Sequence, residues 1–330
     1  FAPSALLTWD WDINDKMKLT TSAFGKYSMY KSTKLEYNNA ENPQPDYYKN
    51  MPSAFYYVWN TDHSNIIQSN NETAFQQWQD VYNAWTTTKA NQQINWDRLY
   101  WSNKNAAANG SDALYFIQAK HIDGLTLNLS STLTAKVTKN STLYGGFTIG
   151  SNSNRHYQTM EDLLGASTYH NINSHLTGSY ASTAPEIQYD LNHPNALVGE
   201  GDKFGYDYKI EVLKGLLWTS YTAQMNRFVG NLSAKLGQTN MRRHGYMKNG
   251  LFPDSSEGNS GIARMGEGGA KGSLSFDAGR GHTFKIGAGY EWQPPTANTA
   301  FLAPEMYNSY VFNLKDEKIF SSEFSYQFQN

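Results

Sequence analysis

The connections between the strands that this sequence predicts alternate strictly between very short and very long. Apolar and polar residues alternate with a period of two in about nine segments, which is the pattern of a half-buried β-strand. The architecture of a soluble β-sandwich does not require short and long connections to alternate. A transmembrane barrel does have this alternation, because its periplasmic turns are short and its extracellular loops are long. The short connections lie at residues 14–16, 139–141, 225–227 and 279–282. The long connections lie at about residues 32–112, 153–205, 241–266 and 293–316.

The first predicted strand shows how the two faces differ. Residues 5–13 place Leu7 and Trp9 on one face, while Asp10 and Asp12 lie on the other. Strands of about nine or more residues can cross a bilayer when tilted, whereas soluble strands average about five or six. We therefore predict an all-β fold that is part of a large antiparallel transmembrane outer-membrane β-barrel. Its polar faces would line a wet lumen, and its apolar faces would contact lipid.

The number of strands predicts an incomplete barrel. Bacterial barrels have an even number of strands, so about nine cannot close one. Both ends of the sequence fall inside strand-like patterns. We therefore expect residues 1–330 to form one β-barrel segment of a longer chain.

The composition excludes several classes of protein. The chain has 27 basic and 29 acidic side chains and a net charge of −2, which argues against a nucleic-acid partner. The absence of cysteine excludes a disulfide framework, a cysteine nucleophile and a thiolate metal site. Aromatic residues make up 15% of the chain although its mean hydropathy is −0.64. Strands with one wet face, joined by long polar loops, account for both values.

The sequence contains no catalytic or cofactor motif. We find no HExxH zinc motif, no Walker loop and no G-x-S-x-G nucleophile elbow. The glycine-rich residues 266–272 lack the spacing of a dinucleotide or phosphate loop, and the eight histidines are scattered. We therefore predict a protein that is not an enzyme and that has no cofactor and no metal site.

The first long connection is rich in aromatic residues. Between residues 72 and 86 these residues recur at spacings of three, four and seven, which predicts a short amphipathic helix. Aromatic side chains on an outer loop can stack on sugars or other flat ligands. The alternative is that they pack the loop against itself or its neighbours. The candidate ligand-binding residues are Trp78, Trp85, Trp96 and Trp101.

Short motifs towards the C-terminal end resemble those of a known family. Residues 293–301 (QPPTANTAF) are followed by residues 313–318 (NLKDEK) and by the predicted strand 319–328. This order is similar to that of the TonB-dependent outer-membrane receptors, in which a proline stands where this chain has Asp316. Two further segments look like parts of the large receptors of Bacteroidetes-type bacteria. They are residues 1–9 and 201–208.

The resemblance implies uptake of a scarce ligand across the cell outer membrane. The ligand would be a siderophore, cobalamin, a glycan or a peptide, and the lumen of a barrel of about 22 strands would be closed by a plug domain. Neither the plug nor the energy-coupling box lies in these residues. The implied partners are the TonB–ExbB–ExbD energy-transducing complex, the extracellular ligand and membrane lipid; a surface lipoprotein is allowed but not required. Two alternatives remain, namely an outer-membrane β-barrel enzyme and a soluble β-rich carbohydrate-binding protein.

Overall fold

A computed structural model describes residues 1–59, 72–181 and 183–329. These residues are mostly β-structure and form one open antiparallel sheet of ten strands, which is not closed into a barrel. The strands are β1 (Ser4–Asn14), β2 (Met17–Tyr37), β3 (Tyr115–Thr138), β4 (Ser141–Asp162), β5 (Lys203–Met225), β6 (Phe228–Gly245), β7 (Gly258–Asn259), β8 (Ala263–Gly279), β9 (His282–Gln293) and β10 (Glu317–Phe328). The two-residue β7 pairs with β6 alone, and all the other strands lie side by side in chain order.

The strands confirm the predicted pattern but extend further than predicted. The nine predicted strands correspond to β1–β6 and β8–β10, and the sequence did not predict β7. Two-residue turns join β1 to β2, β3 to β4, β5 to β6 and β8 to β9. The long connections are shorter than expected because β3, β4 and β5 reach 24, 22 and 23 residues. They cover residues 38–114, 163–202, 246–262 and 294–316.

Most of the helical structure lies in the first long connection. The helices are α1 (Pro52–Trp59), α2 (Glu72–Thr87), α3 (Trp96–Ala108) and the single-turn α4 (Ala297–Ala300). The helix predicted over residues 72–86 is confirmed by α2. The Asn95 side chain caps α3 by accepting a hydrogen bond from the Arg98 backbone nitrogen at 3.0 Å. Within the described residues, no helix has both the length and the apolarity needed to cross a membrane.

One side of the sheet, here called the apolar face, is lined by exposed apolar residues. Because alternate residues point to opposite sides, the strand register brings these residues together across neighbouring strands. Leu217 of β5 lies directly opposite Leu236 of β6, and their exposures are 65% and 64%. Further exposed members of the apolar face are Leu7, Leu125, Leu127, Leu129, Ile149, Leu213, Leu232, Leu274, Ile286 and Phe324.

The opposite side, here called the polar face, carries hydroxyls, amides and ion pairs. The ammonium of Lys214 on β5 lies 2.7 Å from a carboxylate oxygen of Glu267 on β8. Lys235 makes a similar contact with Glu291 at 2.6 Å. Glu267 is only 1% exposed, so its charge is stabilised by this ion pair and by the Thr239 hydroxyl at 3.3 Å.

The apolar face ends before the strands do. On β5 its apolar residues run from Leu213 to Tyr221, a length of about 27 Å along the strand. On the same side, further towards the long connections, the next residues are Glu211, Lys209 and Asp207. The sheet therefore has an apolar band near the short turns and a charged zone nearer the long connections.

The buried core lies where the long connections cover the sheet. On the polar face, Phe116 and Phe204 pack against Tyr169 of the 163–202 connection. Phe301, which follows α4, packs against Tyr208 in a second cluster on the same side. A third cluster covers the other side of the sheet, where α3 contacts the ends of β2 and β3. Its buried members are Leu99, Tyr115 and Leu164.

Candidate ligand-binding cleft

A cleft of about 270 Å³ opens at the long-connection end of the polar face. Its floor comes from strands β2–β5, and its walls come from the connections 163–202, 246–262 and 294–316. Such concave sites with a few convergent polar groups are where proteins usually bind ligands. Its lining includes Glu36, Gln118, Lys120, Gln158, Tyr169, Tyr189, Gly205, Tyr206 and Glu305.

A row of side-chain hydrogen bonds crosses the floor of the cleft. The Gln158 amide nitrogen donates to Gln118 Oε1, and the Gln118 amide nitrogen donates to Glu36 Oε2 at 3.4 Å. The Lys34 ammonium holds the same carboxylate oxygen at 2.8 Å. Gln118 and Gln158 are both more than nine-tenths buried. Their amide groups are therefore fixed in orientation before any ligand arrives.

Gly205 gives this row of amides its space. Its φ of +74° lies in the left-handed region, which side chains larger than hydrogen rarely adopt. A Cβ added at this position would lie 3.5 Å from the Gln158 side-chain oxygen. The strain of positive φ, more than the contact, therefore favours glycine beside Gln158.

Three phenol hydroxyls line the cleft without a hydrogen-bond partner in the described part of the chain. Among the described residues, the hydroxyls of Tyr169, Tyr189 and Tyr206 make no hydrogen bond, although Tyr169 is only 5% and Tyr206 only 9% exposed. Burial raises the pKa of the Tyr169 and Tyr189 phenols above the usual value. Both therefore stay protonated at neutral pH and can donate hydrogen bonds to a ligand.

An ion pair joins two walls of the cleft. The Lys120 ammonium on β3 lies 3.7 Å from a carboxylate oxygen of Glu305 and 5.7 Å from the centre of the Tyr206 ring. Both charged side chains are about half exposed, so solvent screens this pair and it contributes little to stability. Since Glu36 is also paired, the cleft as a whole offers hydrogen bonds and aromatic faces rather than an excess of either charge.

Arg243 of β6 holds two of the connections that wall the cleft. The residue is 2% exposed, and its Nε donates to the Pro304 carbonyl oxygen at 2.6 Å. Its Nη1 donates to the Ser256 carbonyl oxygen at 2.7 Å and to Asn308 Oδ1 at 2.6 Å. The Tyr208 ring lies 5.1 Å from the guanidinium. One side chain of the sheet therefore fixes both the 246–262 and the 294–316 connections.

Replacing Arg243 with methionine is expected to loosen both connections. Methionine fills a similar space, but the Ser256 and Pro304 carbonyl groups lose their donor, at a cost of about 2–4 kcal/mol. The Asn308 amide, which donates to the Ser255 carbonyl and so links the two connections, should exchange its hydrogen at least about 30-fold faster. Hydrogen exchange with mass spectrometry measures this rate. Arg242→Met, on the opposite side of the sheet, is the control, and equal acceleration in both variants would contradict the role of Arg243.

The two tryptophans of α2 lie away from the cleft. Trp78 is partly buried and stacks between Phe75 and Tyr82, with ring-centre distances of 5.9 Å and 5.4 Å. Trp85 lines a separate cleft of about 320 Å³ beside Arg98. Packing within the connection accounts for the position of Trp78.

The two tryptophans of α3 are exposed to solvent. Trp96 and Trp101 have exposures of 43% and 66%. Five positions separate them on the helix, which turns their side chains to different sides. None of the four tryptophans lines the polar-face cleft in the part of the chain that the structure describes. Ligand binding by these residues stays a prediction.

Sequence reasoning missed the residues of the polar-face cleft. Glu36, Gln118 and Gln158 come from three different strands, in segments where the period-two pattern is interrupted. The large polar side chains between apolar residues in β3 were the one available signal. Across the described residues, no group of three or more His, Asp or Glu side chains is arranged to hold a metal ion.

Comparison with known proteins gives no relative from which a role could be transferred. No protein-family model matches the chain. No curated protein matches it either. The geometry of the sheet and of the polar-face cleft is therefore the basis for a functional proposal.

Proposed function

We propose that this chain is a segment of an outer-membrane β-barrel that takes up a scarce ligand and is energised by TonB. The single observation that carries the proposal is the pairing of an exposed apolar band with a polar face on long antiparallel strands. A lipid environment would remove the apolar band from water, and a wet lumen would hydrate the polar face. β1 and β10 each have one neighbour in the described sheet, so closing the barrel requires further strands.

Exposure of the apolar band to water would destabilise a soluble sheet. Contiguous exposed apolar patches of more than a few hundred Å² are rare on soluble monomeric proteins. Here large apolar side chains are exposed on neighbouring strands from β1 to β10, and Leu232 of β6 alone is 65% exposed. Among the described residues, no second layer covers the apolar band, which favours lipid as its partner in preference to the soluble carbohydrate-binding alternative.

The long connections would face outside, and the polar-face cleft would receive the ligand. Its amides, phenols and paired charges suit a small molecule, a glycan or a peptide that is rich in hydrogen-bonding groups. Transport in this proposal needs no covalent chemistry, in agreement with the prediction that the protein is not an enzyme. The TonB–ExbB–ExbD complex would act through a plug domain outside these residues, and a surface lipoprotein could cover the cleft.

Membrane fractionation tests the proposal. We expect the protein to be recovered in the outer-membrane fraction, to stay there after washing with high salt, and to dissolve only with detergent. Salt would release a protein held by surface charges, because screening weakens such contacts. Recovery as a soluble monomer without detergent would contradict the proposal.

The gene that encodes this segment tests the uptake role separately from the barrel. An importer requires a plug domain encoded in frame with the barrel. A membrane-bound protein without any plug would keep the barrel but remove the importer, and would favour the barrel enzyme.

A further inference from the structure

A cluster of basic side chains lies just beyond the apolar band, on the same side of the sheet. It is here called the basic strip. On β5 it begins at Glu211, the next residue on this side from Leu213 towards the long connections. The strip crosses four neighbouring strands, β4, β5, β6 and β8. Its members are Arg155, Lys203, Lys209, Arg242 and Arg264, together with the carboxylates Asp207 and Glu211.

The strand register places these cations close together. Arg155 lies opposite Lys209, and Glu211 lies opposite Arg242 on the next strand. Arg264 pairs with Asn240, one step along the same side from Arg242. Neighbouring strands are about 4.8 Å apart, so the strip is about 15 Å wide.

The carboxylates of the strip do not balance its cations. Asp207 accepts two hydrogen bonds from Arg155, at 2.8 and 2.6 Å, and also pairs with Lys203 at 3.0 Å. This carboxylate is therefore shared between two cations.

Glu211 is shared in the same way. It pairs with Lys209 at 2.9 Å and with Arg242 Nε at 2.8 Å. Arg264 is exposed and makes no ion pair with any described residue. On its four strands the strip has three more cations than anions, and Asp123 of β3, which lies opposite Arg155 on the same side, reduces this local excess to two. An excess of this kind on one side of one sheet attracts anions.

We propose that the basic strip binds the phosphate groups of lipids in the outer leaflet. This inference rests on the proposed function, which places the apolar band in the bilayer and the long connections outside. The strip then lies at the height of the lipid head groups. Arginine suits such a site because its planar group can donate two parallel hydrogen bonds to a phosphate.

Two features of the strip favour a lipid over a free anion. The cations face away from the polar-face cleft and continue the apolar band, so a bound molecule would contact charge and hydrocarbon together. The Tyr246 ring lies 4.3 Å from the Arg155 guanidinium and adds an amphipathic surface at the same height. Tyrosine is enriched where membrane proteins meet the lipid–water interface.

Lipid titration of the purified full-length protein tests the inference. The protein in detergent is mixed with diphosphorylated lipid A, with the same lipid after removal of both phosphates, or with phosphatidylcholine, and complexes are counted by native mass spectrometry. We expect tight binding of the phosphorylated lipid alone. Arg242→Gln with Arg264→Gln should weaken this binding at least about tenfold, since two charge-assisted contacts are lost. The matched control is Arg227→Gln with Arg280→Gln, which changes two exposed arginines at the short turns.

Several outcomes would overturn the inference. Equal binding of the lipid without phosphate would show that hydrocarbon alone is recognised. An equal loss in the control variant would remove the role of the strip, and full competition by millimolar inorganic phosphate would indicate a free-anion site. Each of these results is compatible with a protein that fractionates with the outer membrane, so they leave the proposed function standing. A soluble protein in the fractionation test would remove both.

Discussion

Leu217→Arg is expected to destabilise the protein folded in a membrane by about 2–4 kcal/mol, because in the proposed location its charged side chain lies near the middle of the bilayer. Leu217 lies inside the apolar band, opposite Leu236, and is 65% exposed. Folding yield in lipid vesicles as a function of urea concentration measures the change. If the sheet instead faced water, arginine in place of an exposed leucine would change stability by no more than about 0.5 kcal/mol. The size of the change in stability therefore distinguishes a sheet that faces lipid from a sheet that faces water.

A substitution on the other side of the sheet is the matched control for Leu217→Arg. Ser130 of β3 points to the polar face at a similar height, opposite Thr148. Arginine at that position would face the lumen, where charges are tolerated, so Ser130→Arg should fold nearly as well as the unchanged protein. Equal loss from both substitutions would indicate a sheet covered on both sides and would contradict the proposed lipid contact.

Asn103→Leu is expected to detach α3 from the sheet, at a cost of about 3 kcal/mol or more. Asn103 is completely buried, and its Nδ2 donates to the carbonyl oxygens of Tyr115 and Leu163 at 2.7 and 2.8 Å. Its Oδ1 accepts from the backbone nitrogens of Leu114 and Tyr115 at 2.9 and 3.0 Å. Leucine fills the space but leaves these backbone groups unpaired, each at a cost of about 1–3 kcal/mol. Limited proteolysis within residues 38–114 should become faster.

Asn103→Asp separates the two halves of this contact. Its carboxylate can still accept from the Leu114 and Tyr115 amides but repels the carbonyl oxygens that Nδ2 now contacts. Hydrogen exchange at Leu114 and Tyr115 should therefore be slower in the aspartate variant than in the leucine variant, while both variants are cleaved faster than the unchanged protein. Unchanged cleavage of both would show that α3 is held by its apolar contacts alone.

The sequence predicted the strands where their two faces lie in different environments. It did not predict them where both faces are covered. Leu125 to Val137 alternates clearly because Leu127 is exposed while Asn128 points to the polar face. The first residues of β3 do not alternate, since Tyr115 packs against Leu99 on one side and Phe116 packs against Tyr169 on the other. Period-two patterning requires two different environments, and the long connections remove that difference.

The cleft could not be assembled from the sequence for a related reason. Glu36, Gln118 and Gln158 are separated by 82 and 40 positions, and only the register of three strands brings them together. The aromatic spacing in α2 predicted a helix correctly, because that signal is local. The same aromatic residues suggested a binding surface, but Trp78 stacks within its own helix. Local periodicity specifies elements, whereas a site depends on pairings between distant segments.

The chain-order arrangement of the sheet has a consequence for how the protein can vary. Each two-residue turn closes a hairpin at almost no cost in chain entropy, so these turns set the strand register. At the opposite end, the penalty for a flexible connection grows only with the logarithm of its length, by about 0.6 kcal/mol for each doubling. Insertions and deletions in the parts of the 38–114 connection outside α3 are therefore expected to cost little free energy and to leave the strand register unchanged. Such a chain can vary its long connections while keeping the same sheet.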